Sequence, residues 1–344
     1  MSLEDYGYGP FFSEALERLQ PGLEPARVVV SSGGYRLGTT SGEVPARPSG
    51  RLLHDGTSIA VGDWVAWDRE SGLIRHVLPR RTKLSRKAAG RKTEEQVVAA
   101  NLDMVLLVMG LDGDFNPRRV ERYLAAIRES GASPIVVLNK SDLPTGCSEH
   151  ALRSVTLGVP VVTLSALTGV GLDGIHAHLQ PRKTAVLVGS SGAGKSTLIN
   201  RLVGRSVQKT ASVRAHDERG RHTTSRRELF VVPSGAILID NPGIRELQLW
   251  STKPSLDATF EDIARLSRAC RFRDCSHQHE PGCAVVSAIT AGDLSEGRLE
   301  SFRALEKELR YLQIRQDESA QHLEKQKWRA IHREMRRSGR HRRT

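Results

Sequence analysis

From Ala26 to about Leu78 the chain runs in short β-rich segments separated by Gly, Ser and Pro. They are Arg27-Val28-Val29-Val30, Tyr35-Arg36-Leu37, Val61-Gly62-Asp63-Trp64-Val65-Ala66-Trp67 and, after the turn at Ser71-Gly72, Leu73-Ile74-Arg75-His76-Val77. Several strands in so short a stretch predict a small closed barrel, because a sheet of that size must protect its edges; an OB-fold is the expected form. Strand alternation puts Trp64 and Trp67 on opposite faces, so at least one belongs to the core. Residues 1–24 predict an irregular or helical lead-in, with Phe11, Phe12, Ala15 and Leu16 as candidates to pack on the segment after it.

A different pattern starts at Met104. Met104-Val105-Leu106-Leu107-Val108-Met109 is continuously apolar, as a strand covered on both faces must be, and Asn116-Pro117 offers a cap followed by proline at the first helical position. Val120, Leu124 and Ile127 then share one helical face. The alternation continues through Pro134-Ile135-Val136-Val137-Leu138, Val161-Val162-Thr163-Leu164, a helix bearing Leu172, Ile175 and Leu179, the strand Ala185-Val186-Leu187-Val188 with the helix Leu198-Ile199-Asn200-Arg201-Leu202, and Ala236-Ile237-Leu238-Ile239. This predicts a mostly parallel sheet with helices on both faces. Near the end, Phe302, Leu305, Leu309 and Leu312 predict an amphipathic helix from about Leu299.

The 344 residues have room for two or three domains, and 38% apolar content is enough for ordinary cores. No apolar run approaches the roughly 18 residues that cross a bilayer, and the start Met1-Ser2-Leu3-Glu4-Asp5-Tyr6 lacks the form of a signal peptide, so the expectation is a cytoplasmic protein without a membrane partner. The net charge of +12 is uneven. The stretch 79–92 carries +7 and the stretch 325–344 carries +8, leaving −3 for the rest of the chain. A near-neutral body with two basic segments, one a linker or loop and the other a tail, predicts a polyanionic partner, nucleic acid first.

The candidate chemistry centres on Gly189-Ser190-Ser191-Gly192-Ala193-Gly194-Lys195-Ser196-Thr197, between a buried strand and an amphipathic helix. Glycines let such a loop curl until its N–H groups face phosphate oxygens, the helix N-terminus adds its dipole, Lys195 would reach the β/γ-phosphates and Ser196 would hold Mg²⁺. Asn139-Lys140-Ser141-Asp142 follows another predicted strand. Asp142 can accept both N1–H and N2–H of guanine, with Asn139 and the Lys140 stem in support, and Ser165-Ala166 could offer a backbone N–H to guanine O6; GTP or GDP is therefore the expected ligand rather than ATP. Asp240 would bind Mg²⁺ through water, and the Gly243 N–H could touch the γ-phosphate. Between these lies a polar loop in which Thr223 or Thr224 could complete the Mg²⁺ shell.

The order is unusual: the base-side motifs precede the phosphate loop, whereas regulatory GTPases place them after it. Domain termini often lie close together, so such a circular permutation is physically feasible, and it makes 240–243 lead directly into the C-terminal region. Ile244 stands where many GTPases have a water-orienting glutamine, which predicts slow intrinsic hydrolysis. His222, on the switch loop, is the candidate to orient that water. Farther on, Cys270-x4-Cys275-x-His277-x5-Cys283 supplies a Cys₃His set suited to one structural Zn²⁺, with His279 as the competing imidazole. No fourth thiolate is near, which disfavours an iron–sulfur cluster.

This combination resembles the circularly permuted GTPases that depend on the small ribosomal subunit, the RsgA (YjeQ) family. The resemblance covers nearly the whole chain, including Gly220-Arg221-His222-Thr223-Thr224 and Asp240-Asn241-Pro242-Gly243. It implies an N-terminal OB-fold barrel, a central α/β permuted P-loop GTPase domain and a mostly helical C-terminal zinc domain in which His277 is the ligand. It also implies hydrolysis of GTP on the small (30S) subunit and its rRNA, late in subunit assembly. The expected divisions are 1–24, 25–92, 93–250, 251–324 and the basic tail 325–344, in a monomer. Leu167 departs from the Ser-Ala-Lys of many GTPases, where base contact is mostly through backbone. The alternatives are an RNA-binding assembly factor for which GTP is mainly a conformational ligand, and a GTPase acting on a different RNA.

Overall fold

The computed structural model describes residues 1–87, 95–112, 115–143, 156–206, 227–241 and 252–314. Five strands, β1 (Glu24–Ser31), β2 (Tyr35–Thr39), β3 (Gly42–Pro48), β4 (Trp64–Asp68) and β5 (Leu73–Val77), form a sheet in the order β1-β2-β3-β5-β4. Pairing of Arg27 with Trp64 returns β4 to β1 and closes the barrel, which leaves no long edge open to solvent. Its interior holds Val28, Leu37, Val65, Trp67 and Ile74. Helix α2 (Gly50–His54), capped by the Ser49 hydroxyl, adds Leu52 to this core. Trp64 projects the other way and is equally buried, against Phe12 of helix α1 (Pro10–Glu17), with 5.6 Å between ring centroids. Both tryptophans are thus core, and the lead-in is what covers the second; Phe12 packs while Phe11 stays exposed. The periodicity gave no sign of β3, because Pro45 and Pro48 weaken its strand pattern.

The basic stretch beginning at Pro79 differs from the expected linker. Strand β6 (Lys83–Lys87) pairs antiparallel with β7 (Glu95–Ala100) as a separate two-stranded sheet, with Leu84 buried beneath it. Arg80 makes a bidentate ion pair with the buried Asp63 at 2.7 Å on each oxygen. Lys83 pairs with Glu95. Charge along this stretch conceals structural residues.

The central sheet runs β10 (Val161–Thr163), β9 (Ser133–Asn139), β8 (Met104–Gly110), β11 (Thr184–Val188), β13 (Ile237–Asp240), β12 (Arg227–Val231). All neighbouring pairs are parallel except β12 with β13. Alternation on β8 sends Leu106 and Val108 to the core shared with α4 (Leu172–His176) and α5 (Lys195–Val203), and Val105, Leu107 and Met109 to the opposite face. There α3 (Pro117–Glu129) packs, with Asn116 as its cap. The strands carrying the base-side motifs, β9 and β10, thus precede β11 in the chain and lie to one side of it in the sheet, with β8 between.

Barrel and central sheet are continuous, because the end of β1 also pairs with β12, Val30 opposite Glu228 and Ser31 opposite Arg227. Arg27, fully buried at this junction, donates to the carbonyls of Tyr6, Gly62 and Asn101 and to the Thr184 hydroxyl. Burial pushes its pKa down to about 9. The C-terminal helices α6 (Lys253–Thr259), α7 (Glu261–Ser267), α8 (Ala284–Ala291) and α9 (296–314) gather around Leu256, Phe260, Ile263, Val285 and Phe302. They are tied to α3 by Arg298, which is buried against Glu121 at 2.7 Å and Asp262 at 2.5 Å.

Candidate nucleotide site and metal centre

Strand β11 is buried along its length, and the loop after it turns at once. Gly189 has φ 138°, and a Cβ there would sit 2.0 Å from the Val108 carbonyl oxygen of β8. Gly194, at φ 90°, has no room either: a Cβ would meet the Asn139 Nδ2 at 2.2 Å. These two glycines let the phosphate loop lie against β8 on one side and the β9 end on the other. Lys195 Nζ donates to the carbonyls of Gly189, at 2.8 Å, and Ser190, at 2.5 Å. Ser196 and Thr197 follow in the first turn of α5, with Gly192 and Ser191 at the loop's crest.

Asn139 ends β9 and is buried. Its Nδ2 donates to the Ala193 carbonyl and its Oδ1 accepts from the Ala166 N–H, both at 2.8 Å. One amide thereby braces the phosphate loop against the loop after β10. Ser165 is buried beside it, its hydroxyl accepting from the Thr168 N–H at 3.1 Å. Lys140 takes a left-handed φ of 67° and pairs with Asp112 at the end of β8, while Asp142 is exposed on the following turn. Arg201 of α5 donates to the carbonyls of Ala166 and Leu167. It also lines, with Ala166, Leu167, Thr197 and Asn200, a groove of about 410 Å³ beside the loops.

Asp240 closes β13, which runs parallel to β11 with Ile239 opposite Val186, so its end lies beside the strand that feeds the phosphate loop. The next residue, Asn241, is anchored by donation to the Val98 carbonyl of the hairpin at 2.8 Å. The sequence-predicted residues His222, Thr223, Thr224 and Gly243 lie outside the described residues. Three residues that sequence reasoning did not select join the site: Asp112, Arg201, and Arg119, whose guanidinium reaches the Ser190 hydroxyl at 2.5 Å from the first turn of α3. None belongs to a recognisable motif. A polar residue just past a continuously apolar strand was the available signal for Asp112.

The donor atoms of Cys270, Cys275, His277 and Cys283 all lie within 4.8 Å of one another. His277 Nδ1 is 3.6 Å from Cys270 Sγ and 3.5 Å from Cys283 Sγ, and the two sulfurs are 3.9 Å apart. A tetrahedral ion with thiolate bonds of about 2.3 Å and imidazole bonds of about 2.0 Å spaces sulfurs about 3.8 Å apart and sulfur from nitrogen about 3.6 Å. The residues present therefore fit a metal. His277 Nε2 contacts the Ser267 hydroxyl at 3.0 Å, which aims Nδ1 at the sulfurs. His279 is not in the group. Arg303 of α9 donates to the His277 carbonyl and pins the loop to the helix behind it.

Among the described residues no helix is long and apolar enough to cross a membrane. The family model for the RsgA GTPase matches residues 77–250. An ABC transporter model overlaps it across 172–330, a span that contains the phosphate loop common to many nucleotide-binding proteins. The chain is 47% identical over 84% of its length to the small ribosomal subunit biogenesis GTPase RsgA of Methanosarcina acetivorans, covering 80% of that protein. It is 45% identical to the protein of the same name from Opitutus terrae over 96% of both chains. The crystal structure of YjeQ from Thermotoga maritima matches with a TM-score of 0.61 at 26% identity, covering 83% of this chain and 98% of that one. Identity at this level over nearly the whole chain, together with the family match, makes the chain a member of the RsgA GTPase family.

Proposed function

We propose that this GTPase binds the small (30S) ribosomal subunit and couples GTP hydrolysis to late subunit maturation or to release of a bound factor. The observation that carries the reading is the Asn139 brace, which unites the phosphate loop with the base-side loops although the chain delivers them in transposed order. The names of the relatives supply the subunit. In this reading the N–H groups of Gly189 to Thr197 cradle the phosphates, and Lys195 releases its loop carbonyls to meet them. Asn139, Lys140, Asp142, Ser165 and Ala166 shape the guanine side. Ser196, Asp240 and one of Thr223 and Thr224 would hold Mg²⁺, which would supply neutralisation of phosphate charge. The Gly243 N–H faces the γ-phosphate, and His222 orients the attacking water.

Cys270, Cys275, His277 and Cys283 hold a structural Zn²⁺ with no open position. Domain divisions near 25, 93, 251 and 325, a monomeric state and a cytoplasmic location complete the proposal. Population shift supplies the cycle: nucleotide state biases the switch segments, and the pose of the attached C-terminal helices follows. Single-turnover GTP hydrolysis with and without purified small subunits tests it. The expected result is slow hydrolysis alone and strong stimulation by the subunit; equal rates would overturn the coupling. His222→Ala is expected to abolish the stimulated rate while leaving nucleotide affinity within about twofold.

A further inference from the structure

Phe272 lies in the loop between the first two metal-cluster cysteines, is 41% exposed and belongs to none of the apolar clusters. It is held out rather than left loose. The Arg271 N–H donates to the Gly282 carbonyl at 3.2 Å, and the Arg271 stem lies so close over Gly282 that a Cβ there would be 3.1 Å from its own. Just past the loop, Arg303 donates to the carbonyls of Ser276 and His277, which fixes the stretch that follows Cys275. The Arg271 guanidinium sits 5.5 Å from the centre of the Phe272 ring. Arg268, Arg271 and Arg273 border this ring in the chain, and among the described residues none of them makes an ion pair. An aromatic face with a guanidinium over it, on a loop anchored to the Gly282 carbonyl and flanked in the chain by further arginines, matches an unpaired base and its flanking phosphates.

We propose that this loop is a single-stranded RNA contact, in which an unpaired base stacks with Phe272 while Arg268, Arg271 and Arg273 meet the phosphates. A rigid presentation lowers the entropy cost of such a contact. A duplex cannot use it, because its bases are stacked inside. The inference rests on the reading that the protein works on an RNA-containing particle, and it adds which surface of the chain touches an unpaired base.

The full chain, with its metal content checked, is titrated with a short single-stranded RNA carrying one 2-aminopurine and with the fully paired duplex of the same sequence. The expected result is stronger quenching and tighter binding for the single strand. Phe272→Ala should lose the quenching and about tenfold in single-strand affinity, with duplex binding unchanged. Phe272→Trp should keep both, and Phe272→Leu, which preserves apolar bulk without a flat ring, should behave like the alanine variant. Arg273→Gln should lower the salt slope by about one for the single strand. Retention of affinity and quenching by Phe272→Ala or Phe272→Leu would overturn the proposal, as would loss of binding to polyglutamate with RNA binding intact, which would mark a protein surface. Subunit-stimulated GTP hydrolysis by the unaltered protein, measured alongside, separates the two readings: its absence refutes the proposed function while leaving a Phe272-dependent RNA signal standing.

Discussion

Removing the Asn139 side chain leaves the Ala193 carbonyl and the Ala166 N–H, both on buried residues, without their partner. Each unsatisfied buried group costs about 1–3 kcal/mol. Asn139→Ala should therefore weaken GDP and GTP alike by roughly 10- to 100-fold. Fluorescent-nucleotide titration checks this, and a loss confined to GTP would contradict the brace, which joins base-side and phosphate loops rather than facing the γ-phosphate. Asp142→Asn has a different signature. It replaces an acceptor by an amide donor facing the base, so GTP affinity should fall at least about tenfold while xanthosine triphosphate, with a carbonyl in place of the amine, gains. Unchanged preference between the two nucleotides would remove Asp142 from base recognition. Arg119 bears on the phosphate loop from α3, and Arg119→Ala combined with Ser190→Ala should show a coupling energy of about 1 kcal/mol in nucleotide affinity; strict additivity would show that the contact carries no energy.

Helix α3 acts at both of its ends. Its first turn sends Arg119 to the phosphate loop, and its outer face receives the C-terminal helices through Arg298–Glu121, Arg122–Glu308 and the Glu129 contacts to Thr252 and Ser255. The exposed pairs contribute little. The Arg298 cluster differs because one guanidinium, itself lying 4.8 Å from the Phe260 ring, neutralises two carboxylates away from water. Burial holds the Glu121 pKa above the usual carboxylate range despite the arginine. Arg298→Ala, which strands both carboxylates, should cost roughly 3–5 kcal/mol. Glu121→Ala leaves Arg298 its bond to Asp262 and should cost less. Chemical denaturation measures both, and the reverse order would show that stranding the two carboxylates is not what makes loss of Arg298 costly. Side-chain contacts thus run from the phosphate loop through α3 to the C-terminal helices, besides the covalent connection after Asp240.

Across the whole molecule, stability is unevenly founded. Barrel and central sheet share hydrogen-bonded strands and the buried Arg27 junction, so they should unfold together. The C-terminal helices close around the Cys₃His group instead, and Cys283 both belongs to it and caps α8, accepting from the Val286 N–H at 3.4 Å. Structural zinc in such a site contributes about 10 kcal/mol. Chelation should therefore melt much of the helical signal from 252–314 while the central sheet still binds GDP. Circular dichroism and fluorescent-nucleotide binding on one sample would check this, and an unchanged helical signal would show that apolar packing around Phe260 and Phe302 suffices alone.

The sequence by itself determined the local pieces. Continuous apolar runs marked the central strands, alternation marked most of the barrel, Asn116-Pro117 marked the start of α3, and ligand spacing marked the metal cluster, because each signal is a short-range consequence of period, turn chemistry or bond length. It also established which motifs were present and that their order was transposed. Only the tertiary structure decided what the side chains between those pieces do. Asn139 looked like a base-side residue and turns out to brace two loops; Arg80 looked like part of a basic linker suited to a polyanion and is paired with a buried aspartate. Strand β3 and the join between barrel and sheet were not legible, since proline masked the one and the other depends on partners far apart in the chain. Hydrogen bonds and ion pairs between distant residues leave no period in the sequence, because their partners are chosen by the fold and not by neighbouring positions.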